Sequence, residues 1–293
     1  KPQEVSEGEL TEEQKRDIVH LQGGTRIGTM LHEIFERTDF QDVVRKSEAD
    51  FEDHIDRLLR PYRELLGQEY AFALPAVTEM VRNVLGAELP GGVVLSRVPM
   101  SQRYSELEFD LSVGAPDPDR QVLTEKRLIE LLRILSEAHA VDPGYTPDYL
   151  APGAINGFIK GFIDLFFYAE GKYWVIDWKS NSVAASARGY TPFAMARQMA
   201  HHCYRLQYLI YLVAVMRFLR SRLGPEADVY GLMGGAVYLF IRGVRKGVRD
   251  QGIVFDRPKR AVLECLDDAF SHGYSEKVVR QYAAQVRKEE SHD

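Results

Sequence analysis

Cysteine is almost absent: the 293 residues hold only Cys203 and Cys265. Two thiols cannot build a disulfide framework, a four-thiolate zinc site or a cysteine-ligated iron–sulfur cluster. Reduced thiols in a cytoplasmic setting are the simplest expectation. A basic excess is also missing. Lys and Arg total 37 against 43 Asp and Glu, a formal net charge of −6. On bulk charge alone this argues against a free-standing nucleic-acid binder, which carries a basic footprint. Long apolar runs are missing too. The most apolar helical stretch, residues 206–218, contains Gln207 and Arg217, so no membrane span and no membrane partner are expected. There is no secretory pattern, no internal repeat and no G-x-x-x-x-G-K-[ST] nucleotide loop. The chain opens on Lys1-Pro2-Gln3-Glu4 without Met, which reads as a piece cut from a longer protein.

What remains is ordinary globular usage, with 45% hydrophobic and 27% charged residues. A chain this long buries a sizeable core without staples. Residues 1–9 read as a loose polar tail, and residues 10–293 as a single α/β domain. Helical spacing of apolar residues predicts helices over 10–21, 25–35, 50–66 (broken at Pro61), 72–85 and 121–140. A long helix is predicted over 193–222, and two more over 258–271 and 275–290. Residues 93–98, 105–113, 158–168, 172–179 and 235–242 read as strands. Residues 242–249 form a basic loop, open equally to a phosphate-tracking and a solvated role.

The centre of the chain carries the chemistry. The apolar runs 161–166 (GFIDLF) and 175–179 (VIDWK) are each interrupted by an acid. A carboxylate inside a buried strand is costly unless it is paired or binds a metal. If Glu170-Gly171 is a two-residue turn, Ala169 pairs with Lys172 and Asp164 falls directly opposite Asp177. Opposed residues have Cβ atoms roughly 4.5–5.5 Å apart. Two carboxylates that close repel by about 3 kcal/mol at an effective dielectric near 20, and a hard cation between them removes the conflict. Strand alternation puts Lys179 on the same face as Asp177. The plainer account, a surface hairpin with its acids in water, fits poorly with apolar flanks on both faces. A one-residue slip would undo the argument.

Asp164 followed by Asp177-x-Lys179 resembles the PD-(D/E)xK nuclease superfamily, and within it the C-terminal nuclease domain of the RecB family. The wider runs 161–165 (GFIDL) and 173–181 (YWVIDWKSN) carry the resemblance, as do 28–36 (GTMLHEIFE), 207–211 (QYLIY) and 234–243 (GGAVYLFIRG). It implies a restriction-endonuclease-like core, a mixed central sheet flanked by helices. It also implies that His32, Asp164, Asp177 and the backbone carbonyl of Trp178 bind Mg²⁺, with Mn²⁺ or Ca²⁺ able to substitute. Lys179 would be the catalytic lysine, and Gln207 and Tyr211 would line the site. Glu108 matches an acidic position less securely, and Trp178 stands where the family pattern has Tyr. The adjacent His201 and His202 point to different helix faces and are read as non-ligands.

The resemblance implies DNA as substrate and a parent chain that is an ATP-driven helicase–nuclease. It implies RecC-like and RecD-like subunits as partners, RecA as a further contact, and the bacterial cytoplasm as location. Alternatives are a catalytically silent docking module or a different exonuclease of the superfamily. A domain fed by an attached helicase does not need a basic surface of its own, because tethering raises the local DNA concentration. Alone, such a piece should bind DNA weakly and with marked salt sensitivity.

Overall fold

The computed structural model describes residues 17–138, 157–224 and 226–290. The tail expected at 1–9 and most of the helix expected at 10–21 lie outside these residues. The described end of that helix is instead one 3-10 turn, Ile18–His20, capped by the Asp17 carboxylate.

Five strands form one sheet in sequence order: β1 Arg103–Val113, β2 Gly157–Ala169, β3 Lys172–Lys179, β4 Met233–Phe240 and β5 Ile253–Asp256. β2 and β3 are antiparallel, with Ala169 opposite Lys172 and Leu165 opposite Ile176. Glu170 and Gly171 make the turn at φ +49° and +75°. Both residues are left-handed, which gives the turn the twist that suits a tight hairpin. β3 and β4 run parallel: the Tyr173 amide donates to the Leu232 carbonyl at one end, and the Ile241 amide to the Lys179 carbonyl at the other. The sheet is therefore mixed, as expected, and helices flank it.

The chain divides into two compact units. The first takes the described residues up to Arg103, with Trp178–Met195 and Tyr238–Val254. Here α1 Thr25–Arg37, α2 Glu48–Leu59 and α3 Tyr70–Gly86 pack together. α1 buries Ile27, Met30, Leu31, Ile34 and Phe35, the stripe expected of a half-buried helix. The break expected at Pro61 is present as a 3-10 turn, Arg60–Tyr62. The second unit takes the described residues of Tyr104–Asp177 and Ala196–Val237, with those from Phe255 on. It contains α4 Glu125–Glu137, whose first turn is capped by Thr124.

The single helix expected over 193–222 is two helices, α5 Pro192–His201 and α6 Tyr204–Leu223. Cys203 between them sits at φ +54°, a conformation that a right-handed helix cannot pass through. α6 packs against α7 Arg260–His272, which packs in turn on α8 Glu276–Glu290. The strand expected over 93–98 is only Val93–Val94, followed by a 3-10 turn at Leu95–Arg97. β5 is four residues long, too short to stand out by alternation.

Candidate active site

The hairpin brings the acids together. Carrying its register one residue beyond Leu165–Ile176 sets Asp164 against Asp177. Asp177 is 2% exposed, while Asp164 is half-buried. A further acid comes from β1 to Asp164: carboxylate oxygens of Glu106 and Asp164 lie within 4.8 Å of one another. Glu106 stands at φ +51° within the strand. That conformation is costly for a residue with a side chain, although exposure still alternates along the strand, with Glu106, Glu108 and Asp110 all on the exposed positions.

Above the acids stands Tyr211 of α6, 6% exposed. Its hydroxyl accepts a hydrogen bond from Gln207 Nε2 at 2.6 Å, the partner one helical turn away. Its ring meets Phe109 edge-on at 5.6 Å. Burial raises the phenol well above its ordinary pKa, and the charges of Asp177, Asp164 and Glu106 push the same way. These effects hold Tyr211 in its protonated form, in which its hydroxyl can donate.

The first unit presents Lys179, Trp178 and His32. Lys179 ends β3, with its ammonium 5.0 Å from the centre of the Tyr238 ring. Trp178 is buried, stacked on Phe35 of α1 at 4.5 Å. Gly28 of α1 lies against Ser180, so close that a Cβ there would come within 3.0 Å of the Ser180 Oγ. Gly28, His32 and Phe35 are spaced i, i+4, i+7 and share one helix face. His32 thus lies between two contacts that seat α1 along the end of β3.

The PD-(D/E)XK nuclease superfamily matches this sequence over residues 9–291. The chain belongs to that superfamily. It is also similar to the RecBCD enzyme subunit RecB of Escherichia coli, at 35% identity over 249 residues, 85% of this chain and 19% of that protein. RecB of Haemophilus influenzae is 29% identical over 262 residues, 89% and 20% of the two lengths. RecB of Mycobacterium tuberculosis is 26% identical over 273 residues, 87% and 24%. The chain spans about a fifth of the length of these relatives.

PD-(D/E)XK nucleases as a class use divalent metals, and the donors here suit one. Asp164, Glu106 and Asp177 offer hard carboxylate oxygens, the ligand type that favours Mg²⁺ or Mn²⁺ over softer ions. Glu106 was not among the residues singled out from sequence. Glu108, two residues on, instead borders a cavity of about 420 Å³ with Ile163, Ala214 and Phe218. Strand alternation treats both acids alike, so only the kink at Glu106 separates them.

The basic loop is largely structural. Arg242 is 1% exposed and gives its guanidinium to backbone carbonyls. Burial lowers its pKa. Arg245 grips both oxygens of Asp17 at 2.6 Å. Exposed Arg249 reaches Glu88 at 3.4 Å. His201 and His202 are both exposed and stack on each other edge to face. Among the described residues, no helix is long and apolar enough to cross a membrane.

Proposed function

We propose that this chain is a metal-dependent DNA nuclease domain that hydrolyses phosphodiester bonds. The observation that carries the reading is the carboxylate cluster of Asp164, Asp177 and Glu106 beneath a protonated Tyr211, with Lys179 two residues beyond Asp177 on one strand. Asp164 and Asp177, with His32, Glu106 and the Trp178 carbonyl, would hold Mg²⁺, with Mn²⁺ or Ca²⁺ able to replace it. When bound, the ion supplies charge neutralisation and lowers the pKa of a water. Lys179 orients the attacking water and stabilises the negative charge that builds on the phosphate. Gln207 occupies the oxygen of Tyr211, so the phenol proton is free for a phosphate oxygen. Attack is in line at phosphorus. Residues 10–293 would act as one nuclease domain, with 1–9 as a loose tail or linker remnant.

Similarity to RecB extends the reading. The domain would belong to an ATP-driven helicase–nuclease that processes double-strand breaks for recombinational repair in the bacterial cytoplasm. Its partners would be unwound single strands, RecC-like and RecD-like subunits, and RecA.

A Mg²⁺-dependent cleavage assay on single-stranded DNA tests the chemistry. Asp177→Ala and Lys179→Ala should each abolish most cutting. Wild-type rates in both would refute the site and favour a catalytically silent docking module. A crystal soaked with Mn²⁺ or Ca²⁺ should place the ion within about 2.6 Å of Asp164 and Asp177 oxygens.

A further inference from the structure

β3 ends at Lys179, so the sheet ladder stops at the residue whose placement matters most. Lysine has a long flexible stem, and its ammonium is only as well placed as the backbone that anchors it. Three successive carbonyls at this point are each held from elsewhere in the first unit. The Lys179 carbonyl accepts from the Ile241 amide at 3.0 Å. The Ser180 carbonyl accepts from Arg242 Nε at 2.8 Å. The Asn181 carbonyl accepts from the Tyr190 hydroxyl at 3.2 Å, and that hydroxyl accepts in turn from the Val183 amide at 3.2 Å.

Both side chains that make these bonds are fully buried. The remaining guanidinium nitrogens of Arg242 donate to the carbonyls of Ile18 (2.9 Å), Leu21 (2.6 Å) and Gln22 (3.3 Å). Among the described residues, every hydrogen-bond partner of the Arg242 guanidinium is a backbone carbonyl. A buried cation without an anion is expensive, and an apolar side chain would fill the space at less cost. What an arginine adds is a rigid fork that holds several carbonyls in fixed relative positions. Gly243 leaves room for the Tyr190 ring beside it: a Cβ there would lie 2.2 Å from the ring.

We propose that Arg242 and Tyr190 are positioning residues for Lys179, clamping the chain immediately after the catalytic strand. The inference rests on Lys179 being the catalytic lysine. The test is a double-mutant cycle in the full-length protein, cutting single-stranded DNA with Mg²⁺. R242K keeps the charge but cannot span all the carbonyls. It should lower kcat about tenfold with KM within twofold, and by no more than twofold in a K179A background. In the metal-free protein, amide hydrogen exchange over residues 179–183 should be faster in R242K. An unchanged kcat, or an equal loss in both backgrounds, overturns the proposal. If R242K does not fold, Y190F, which deletes one hydroxyl, goes through the same cycle under the same criteria. Wild-type cutting by K179A would strike the role of Lys179 itself. That result is distinct from a failed clamp, in which K179A is impaired and R242K is silent or additive.

Discussion

The hairpin β2–β3 and the strand β1 both carry acids but deliver them differently. In the hairpin, a two-residue left-handed turn sets Ala169 against Lys172, and every later pair follows, down to Leu165–Ile176. Asp164 and Asp177 meet because the turn leaves them no other register. Among the described residues, β1 is an edge strand with β2 as its one neighbour in the sheet. There the backbone turns to φ +51° at Glu106, whose carboxylate comes near Asp164, while Glu108 borders a cavity. A ladder specifies which residues face each other. A local departure from the ladder specifies which side chain is re-aimed, and such departures gather at functional sites.

The largest effect that would break this contrast lies in the hairpin. Asp177→Asn and Lys179→Ala should each slow cleavage by roughly 10²–10⁴-fold, read in a single-turnover assay with Mg²⁺. Next comes the pair on β1. Glu106→Gln should cost about 10–100-fold in Mn²⁺ affinity or rate, whereas Glu108→Gln should stay within twofold. Calorimetric Mn²⁺ titration separates them, and equal losses would remove the distinction between the kinked and regular positions.

Smaller still is the turn. Gly171→Ala places a Cβ at φ +75° and should cost about 1 kcal/mol. That is a fall in Tm of about 2–4 °C for a chain of this size. The smallest effect is at alkaline pH. Folding raises the pKa of Tyr211, so its stabilising contribution is complete below the unfolded value near 10. Above that pH the unfolded chain loses the proton first, and stability declines. Tyr211→Phe should flatten the fall in Tm above about pH 10, with little change near neutrality.

Much of the site was legible because its signals are local. An acid in each of two apolar runs, a two-residue turn and a lysine two positions after the second acid are enough to set a face and a register. Gln207 and Tyr211 fell on one helix face by spacing alone, and the hydrogen bond between them agrees. The misreadings share a different cause. Cys203 at φ +54° divides a helix that apolar spacing runs together. The basic loop was open equally to phosphate and to solvent by sequence, and Arg242 and Arg245 are instead used on carbonyls and on Asp17. Charge in a sequence does not say whether a side chain faces water.

The sequence by itself determined most of the elements, the hairpin register and the superfamily, because each follows from alternation, turn chemistry or a short motif along the chain. Tertiary structure alone decided that Glu106 and not Glu108 joins the acids. It also decided that Tyr211 is buried beside the acids and that Arg242 and Tyr190 hold the chain beyond Lys179. Those outcomes depend on burial and on contacts between segments far apart in sequence, such as Ile18 with Arg242, and no periodicity along the chain encodes them.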